Sequence, residues 1–216
     1  MSTLAGVDEA GRGPVIGPLV VAIAALEKGD EFQLQTLGVK DSKLLTPKRR
    51  EQLYKAITDL CKYEIIIVPP EEVDEAVESS STNLNWLEAE KMALLIDKIK
   101  PDKVILDAPS SSLESYEQHI KGLLKFQPKN LIAKHKADRD HPIVAAASVL
   151  AKVTRDWEIQ KIKDKYNIDF GSGYPSDPKT IAFLKKNWDK YPIFRKSWET
   201  WKQVANSKSQ KSLGEF

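Results

Sequence analysis

At 216 residues, with 41% hydrophobic and 30% charged side chains, the chain can bury one substantial core and is neither disordered nor membrane-embedded by composition. Its longest apolar run, Leu19 to Leu26, is far short of the ~20 residues of a spanning helix and reads as a buried strand. One cysteine, Cys61, excludes an internal disulfide and any multi-cysteine zinc or iron–sulfur site. The opening MSTLAGVDEAG lacks the basic and apolar regions of a secretory signal, so a soluble, cytoplasmic protein is expected. The net charge of +2 is unevenly spread: residues 178 to 211 hold nine Lys and Arg against Asp189 and Glu199. A basic end on a mildly acidic body suits a nucleic-acid partner and equally a solvated helix face.

In chain order, apolar periodicity predicts strands over Leu4 to Asp8 and Leu19 to Leu26, with a Gly/Pro-rich turn between them. A helix over Pro47 to Cys61 follows, with Thr46 as N-cap and proline at its first position. Tyr63 to Val68 reads as a strand closed by two prolines, Asn83 to Lys100 as a helix stopped by Pro101, and Lys103 to Asp107 as a buried strand. Leu113 to Leu124 reads as a helix and Leu131 to Lys136 as the last strand. From Pro142 to about Tyr166 runs a long helix whose start is small-faced enough to pack close to a sheet. Two further helices fit Lys179 to Trp188 and Lys196 to Asn206. Early hairpin-like strands and later strand–helix alternation indicate an α/β fold with a mixed sheet. The expected organisation is a body over 1–177, a basic helical region over 178–206 and a flexible tail over 207–216.

Four carboxylates sit at the ends of predicted strands: Asp8 and Glu9 after the first, Asp107 at the end of KVILD, and Asp138 just after LIAKHK. Functional groups of α/β sheets gather at such ends, and hard oxygen donors in this number suit Mg²⁺ or Mn²⁺. Any one of these acids could equally cap a helix or face solvent. Neighbouring strand residues point to opposite faces, so Asp8 and Glu9 are expected to converge only if the chain leaves strand geometry there, a freedom Gly11 and Gly13 supply. The segment Gly11-Arg-Gly-Pro-Val-Ile-Gly17 does not match the dinucleotide fingerprint, and no P-loop occurs. It reads as backbone able to approach a ligand closely, with Arg12 available to a phosphate, or as an ordinary tight turn. The histidines His119, His135 and His141 are scattered, as expected of a chain without paired histidine acid–base chemistry.

The blocks GVDEAGRGPVIGP (6–18), DSK (41–43), LDAP (106–109), KADRDHPIVAAASVLAKVTRD (136–156) and GSGYPSDP (171–178) closely resemble type 2 ribonuclease H, in its archaeal form or as the catalytic subunit of the eukaryotic enzyme. The resemblance implies a ribonuclease H-like mixed sheet of five strands flanked by helices, with a small helical C-terminal region. It implies metal-dependent cleavage 5′ to ribonucleotides in RNA/DNA hybrids and at single ribonucleotides embedded in duplex DNA, leaving a 3′-hydroxyl and a 5′-phosphate. Carried over by motif, Asp8, Glu9, Asp107 and Asp138 would be the catalytic metal ligands for two Mg²⁺ or Mn²⁺ ions. Gly11, Arg12 and Gly13 would read the 2′-hydroxyl through backbone groups, and Tyr174 would stack on the sugar at the DNA side of the junction. Lys43 and the helical stripe Ser148, Lys152 and Arg155 are expected phosphate contacts, although Lys152 can also pair with Asp156. Trp188, Trp198 and Trp201 are expected to pack two helices onto the body, with the surrounding Lys and Arg on the duplex backbone.

The last seven residues place Gln210, Leu213 and Phe216 in a Q-x-x-hydrophobic-x-x-aromatic pattern that resembles a sliding-clamp-binding peptide, with one terminal aromatic where the usual form has two. A self-sufficient monomer tethered to a clamp is expected. A clamp-tethered nucleic-acid-binding module without catalysis is the reading from another class, and four intact acids argue against it. Another metal nuclease on the same fold is a third, and the Gly-Arg-Gly and GSGYPSDP blocks argue against that.

Overall fold

The computed structural model describes residues 2–39 and 45–213, with side chains described as far as residue 208. Five strands form one mixed sheet in the order β3-β2-β1-β4-β5. They are β1 (Thr3–Ala10), β2 (Leu19–Glu27), β3 (Lys62–Val68), β4 (Lys103–Asp107) and β5 (Asn130–Lys134). The first three pair antiparallel, and β4 joins β1 and β5 in parallel. This is the expected mixed five-stranded sheet.

Strand alternation divides the core into two layers. Ala5 and Val7 of β1, with Leu19, Val21 and Ile23 of β2, face the helices α3 (Pro70–Glu78), α4 (Leu84–Ile99) and α5 (Leu113–Leu123). Leu4 of β1 and Val20, Ala22 and Ala24 of β2 face α1 (Glu31–Thr36), α2 (Pro47–Leu60) and α7 (Pro142–Tyr166). Helix α7 crosses β1 at very short range. A methyl group on Gly6 would lie 2.4 Å from the Ile143 carbonyl carbon and 2.5 Å from the Val144 nitrogen. The run Ile143 to Ala147 is fully buried against the sheet, as the small-faced start of this helix led one to expect.

A third core belongs to the chain beyond α7. Phe170, Leu184 of α8 (Pro178–Asn187), Ile193, Phe194 and Val204 of α9 (Glu199–Leu213) pack with Ile159 of α7 and with Val15 and Ile16 from the β1–β2 connection. Trp188, Trp198 and Trp201 pack against this cluster, and the Trp201 indole N–H donates to the Trp188 carbonyl at 3.0 Å. The three tryptophans therefore serve helix packing, as expected.

Several boundaries differ from those predicted. Strand β1 continues two positions past Asp8 because its pairing with β2 runs to Ala10↔Val20. Strand β5 ends at Lys134, and Lys136, at φ 56°, turns the chain into a short helix, α6 (Ala137–Asp140), that the periodicity did not reveal. Helices α1 and α3 were likewise not foreseen; both are short. Helix α9 begins late because Asp74 captures the Lys196 and Ser197 amides at 2.8 and 2.9 Å. It then continues past the expected end at Asn206 as far as Leu213, since no glycine or proline intervenes before Gly214, so residues 207–213 are helical where a flexible tail was expected.

The β1–α7 contact leaves no room for a side chain at position 6. Gly6→Ala is expected to destabilise the fold by about 3 kcal/mol, because the atoms it meets are backbone. Chemical denaturation of the variant measures this, and an unchanged midpoint would contradict the packing.

Candidate active site at the end of β1

Because β1 stays a regular paired strand to Ala10, Asp8 and Glu9 project from opposite faces of the sheet. The departure from strand geometry on which convergence of the two was made conditional does not occur at these residues; it comes at Gly11, with φ 94°. Asp8 is buried on the α7 side, where Ser148 hydrogen-bonds it, and its Oδ1 also accepts from the Glu9 amide at 2.7 Å. Glu9 lies on the α4 side, within the field of Glu88, and its Oε2 is buried without a hydrogen-bond partner.

Parallel pairing of Val7 with Leu106 brings Asp107 beside Asp8 at the same sheet end. Asp107 Oδ1 accepts from the Ala137 amide at 2.8 Å, which ties β4 to the start of α6. Asp138, buried in that short helix, adds a second negative charge acting on Asp8. Burial first, and then the neighbouring carboxylates, push Asp8 and Glu9 well above the ordinary carboxylate range; for Asp8 the largest charge is Asp107, for Glu9 it is Glu88. The four expected acids thus share one end of the sheet. Among the described residues, no three of the acids, histidines or cysteines lie close enough together to enclose a metal ion. Like charges facing a low-dielectric interior turn toward backbone donors, as Asp8 and Asp107 do. A concentration of oxygen donors with an orphaned buried oxygen on Glu9, on which Arg12 is the weakest of the acting charges, fits a hard divalent ion.

Next to Glu9 opens a cavity of about 250 Å³, lined by Glu9, Gly11, Arg12, Gly13, Ser148, Lys152 and Tyr174 among others. Seven of the expected site residues therefore meet around one space. A methyl on Gly13 would lie 3.7 Å from the Tyr174 ring, in ordinary contact with it, which places the loop backbone beside that ring. The Tyr174 loop is fixed locally. Asp177 accepts from the Ser172 and Lys179 amides at 2.7 and 2.9 Å, and the Thr180 hydroxyl accepts from the Gly173 amide at 3.0 Å while donating to the Phe170 carbonyl at 2.8 Å. The Gly173 carbonyl in turn accepts from the amides of Val15 and Ile16.

Two expected phosphate contacts behave otherwise. Arg155 is buried: its Nη2 donates to the Ile16 carbonyl at 3.4 Å, its guanidinium lies 5.3 Å from the Tyr174 ring centroid, and its stem fills the space a side chain at Gly11 would need. It supports the loops from behind and has no surface to offer a phosphate. The Arg12 guanidinium is engaged by the Glu88 carboxylate and the Asn85 side-chain oxygen, so it is not a free phosphate anchor. Lys152 lines the cavity and pairs with Asp156, the i,i+4 partner foreseen for it. Lys43 and Phe216 lie outside the described residues, and Gln210 and Leu213 fall in the part of α9 whose side chains are not described.

The sequence reading missed Glu88, Asn85, Arg195 and Trp198. Arg195 is fully buried and donates from Nε to the Gly17 carbonyl and from Nη1 to the Arg12 carbonyl, both at 3.1 Å. The Trp198 indole N–H donates to the Gly13 carbonyl at 3.2 Å. Only Glu88 left a legible trace, an acid on the apolar stripe Leu84, Met92, Leu95 and Ile99 of α4. Burial pushes its carboxyl up to about 7, with Arg12 pulling the other way. The histidines take no part in the cavity lining: His135 Nδ1 meets the Ala108 carbonyl, His141 Nε2 meets Lys134, and His119 packs on Trp86.

Comparison with known proteins gives a consistent result. Residues 5–201 match the family model described as Ribonuclease HII. A Ribonuclease HII of Pyrococcus furiosus is 45% identical over 224 residues, covering 99% of this chain and 97% of its own. The crystal structure of the ribonuclease H2 from Pyrococcus horikoshii superposes with a TM-score of 0.87 at 44% identity, covering 95% of this chain and 98% of that one. The structure of the PCNA:RNase HII complex from Archaeoglobus fulgidus gives a TM-score of 0.82 at 40% identity, covering 94% and 95% of the two chains.

The acidic cluster makes metal-free stability depend on pH in a defined direction. Asp8, Glu9 and Glu88 have raised values in the fold, so their protonated forms stabilise it at low pH, and that contribution is lost as pH rises through the raised values, near about 7 for Glu88. In EDTA the melting temperature is expected to fall between about pH 5 and about pH 8, and Mg²⁺ is expected to raise it more at the upper end. Thermal melts with and without Mg²⁺ check this, and a Mg²⁺ effect larger at the acid end would contradict it.

Proposed function

The chain belongs to the ribonuclease HII family, a family of metal-dependent ribonucleases, and from that premise we propose that it cleaves 5′ to ribonucleotides in RNA/DNA hybrids and at single ribonucleotides within duplex DNA. One observation carries this reading: Glu9, the Gly11–Gly13 loop, Ser148, Lys152 and Tyr174 line one cavity beside the buried carboxylates. Asp8, Glu9, Asp107 and Asp138 would hold the divalent cations, Mg²⁺ or Mn²⁺. When bound, two such ions supply a water nucleophile at neutral pH and charge stabilisation for the leaving oxygen.

The chain's own groups then position the strand. The carbonyls of Arg12 and Gly13 accept from Arg195 and Trp198, which holds the loop in place, and its backbone groups, the amides of Gly11, Arg12 and Gly13 among them, read the 2′-hydroxyl. Tyr174, braced by Arg155, stacks against the neighbouring sugar and holds the junction in register. Ser148 bonds Asp8 and lines the cavity, coupling α7 to both the acids and the substrate. The exposed Lys179, Lys185, Lys186, Lys196 and Lys202 of the C-terminal region follow the phosphate backbone of the duplex. At the C-terminal end, Gln210 and Leu213 of α9, with Phe216, form the clamp-binding element; the complex formed with PCNA by the Archaeoglobus fulgidus relative supports this assignment.

With a DNA duplex carrying one ribonucleotide, the wild-type chain is expected to nick the 5′ side of that ribonucleotide in Mg²⁺ and not in EDTA. Asp138→Asn is expected to lower the rate by at least about a thousandfold. Product mapping on a sequencing gel checks both, and tight binding without cleavage under any divalent ion would leave the non-catalytic binding module as the better account. Deleting residues 210–216 is expected to abolish clamp binding and spare basal cleavage; unchanged clamp affinity would remove the tail from the account.

A further inference from the structure

Arg12 is gripped at both ends. Its carbonyl accepts from Arg195, and its guanidinium reaches across to the carboxylate of Glu88 and the side-chain oxygen of Asn85 on α4. Residues 76 positions apart in sequence thus fix the one non-glycine member of the Gly11–Gly13 loop. The glycines on either side offer little resistance of their own: Gly11 sits at φ 94°, and a chain of this kind takes its shape from what holds its neighbours.

Glu88 is an expensive residue for the place it occupies. Its side chain is 0% exposed, its Oε1 is buried with no hydrogen-bond partner, and Glu9, a part-buried acid, lies within its field. Its stripe neighbours Met92, Leu95 and Ile99 are all core hydrophobics, and an apolar residue of similar volume at 88 would avoid desolvating a charge. The Coulomb attraction to one half-exposed arginine is a weak reason to keep a carboxylate there on stability grounds. What the pair does provide is orientation: two acceptors, from Glu88 and Asn85, match two separate N–H groups of one planar guanidinium.

We propose that Glu88, with Asn85, is a positioning residue for ribose selection: it holds the Arg12 side chain so that the Gly11–Gly13 backbone presents its amides at the geometry a 2′-hydroxyl requires. This rests on the reading of that loop as the ribose-recognising element. Glu88 touches no substrate and acts through Arg12. Its removal loosens recognition of the ribonucleotide and leaves general duplex affinity, which belongs to the basic surface, unaltered.

The test uses the full chain in Mg²⁺. Cleavage of a duplex with one ribonucleotide gives KM and kcat, and an all-DNA duplex of the same sequence, used as competitor, gives Ki. The ratio of Ki to KM measures ribose preference. Glu88→Gln is expected to lower it about tenfold through KM, with Ki unchanged. In an Arg12→Ala background the same substitution is expected to add nothing, as follows if Glu88 acts only through Arg12. Asn85→Ala, half-buried at the first turn of α4, touches the same guanidinium and gives the same shift in smaller measure should Glu88→Gln fail to fold. A ratio that survives in both variants overturns the inference, as does an equal weakening of KM and Ki or a further loss in the Arg12→Ala background. A wild-type chain that shows no preference for the ribonucleotide overturns the functional reading, and this inference with it.

Discussion

Strand β1 is hydrogen-bonded to β2 as far as Ala10, and that pairing obliges Asp8 and Glu9 to point into different helical layers. Asp8 meets Ser148 of α7, Glu9 meets the field of Glu88 on α4, and Asp107 arrives beside them because β4 runs parallel to β1. A site built this way draws on both layers and the sheet at once. The close crossing of α7 over Gly6 fixes the register of one layer against β1, and so indirectly the distance from Ser148 to Asp8. Carboxylates assembled by such constraints are desolvated and mutually repelling in the absence of a cation, which is the electrostatic condition under which divalent ions bind hard oxygen donors well.

Immediately after β1 the chain enters a loop that belongs structurally to the other end of the molecule. Val15 and Ile16 pack in the C-terminal core, Ile16 pairs with Phe194, and Arg195 and Trp198 hold three of the loop's carbonyls. The C-terminal region is therefore the scaffold of the β1–β2 connection as well as a basic surface. Arg155 joins the two by bracing Tyr174 while filling the space beside Gly11. The acidic cluster and the Gly11–Gly13 loop meet at Glu9 and Gly11, two residues apart, and the loop is held by Glu88 and Asn85 of α4 at the Arg12 side chain and by Arg195 and Trp198 at its carbonyls.

Much of this was readable from residue order alone. Short apolar segments marked all five strands, and the acids at their ends, Asp8, Glu9, Asp107 and Asp138, stood out from position alone. The blocks GRG and GSGYPSDP pointed to Gly11–Gly13 and Tyr174, which the fold brings against one cavity. The side-chain direction of Glu9 was not readable, because it depends on how far β1 remains paired, a tertiary property. Charge was the poorest guide. Arg155 and Arg195 look like surface cations in a sequence and are among the most deeply buried side chains of the chain, because each satisfies backbone carbonyls of distant loops. Arg12, expected at a phosphate, finds its counter-ion inside the protein. Position 88 alone left a trace, an acid interrupting an apolar stripe.

The central claim is that carboxylates from both faces of β1 serve one metal site. Calorimetric titration of the metal-free chain with Mn²⁺, beside Asp8→Asn and Glu9→Gln, tests it most directly. The account predicts that each substitution, on its own face of the sheet, weakens Mn²⁺ binding by at least about tenfold while the fold persists. Wild-type affinity in Glu9→Gln would contradict it and confine the metal to the α7 side.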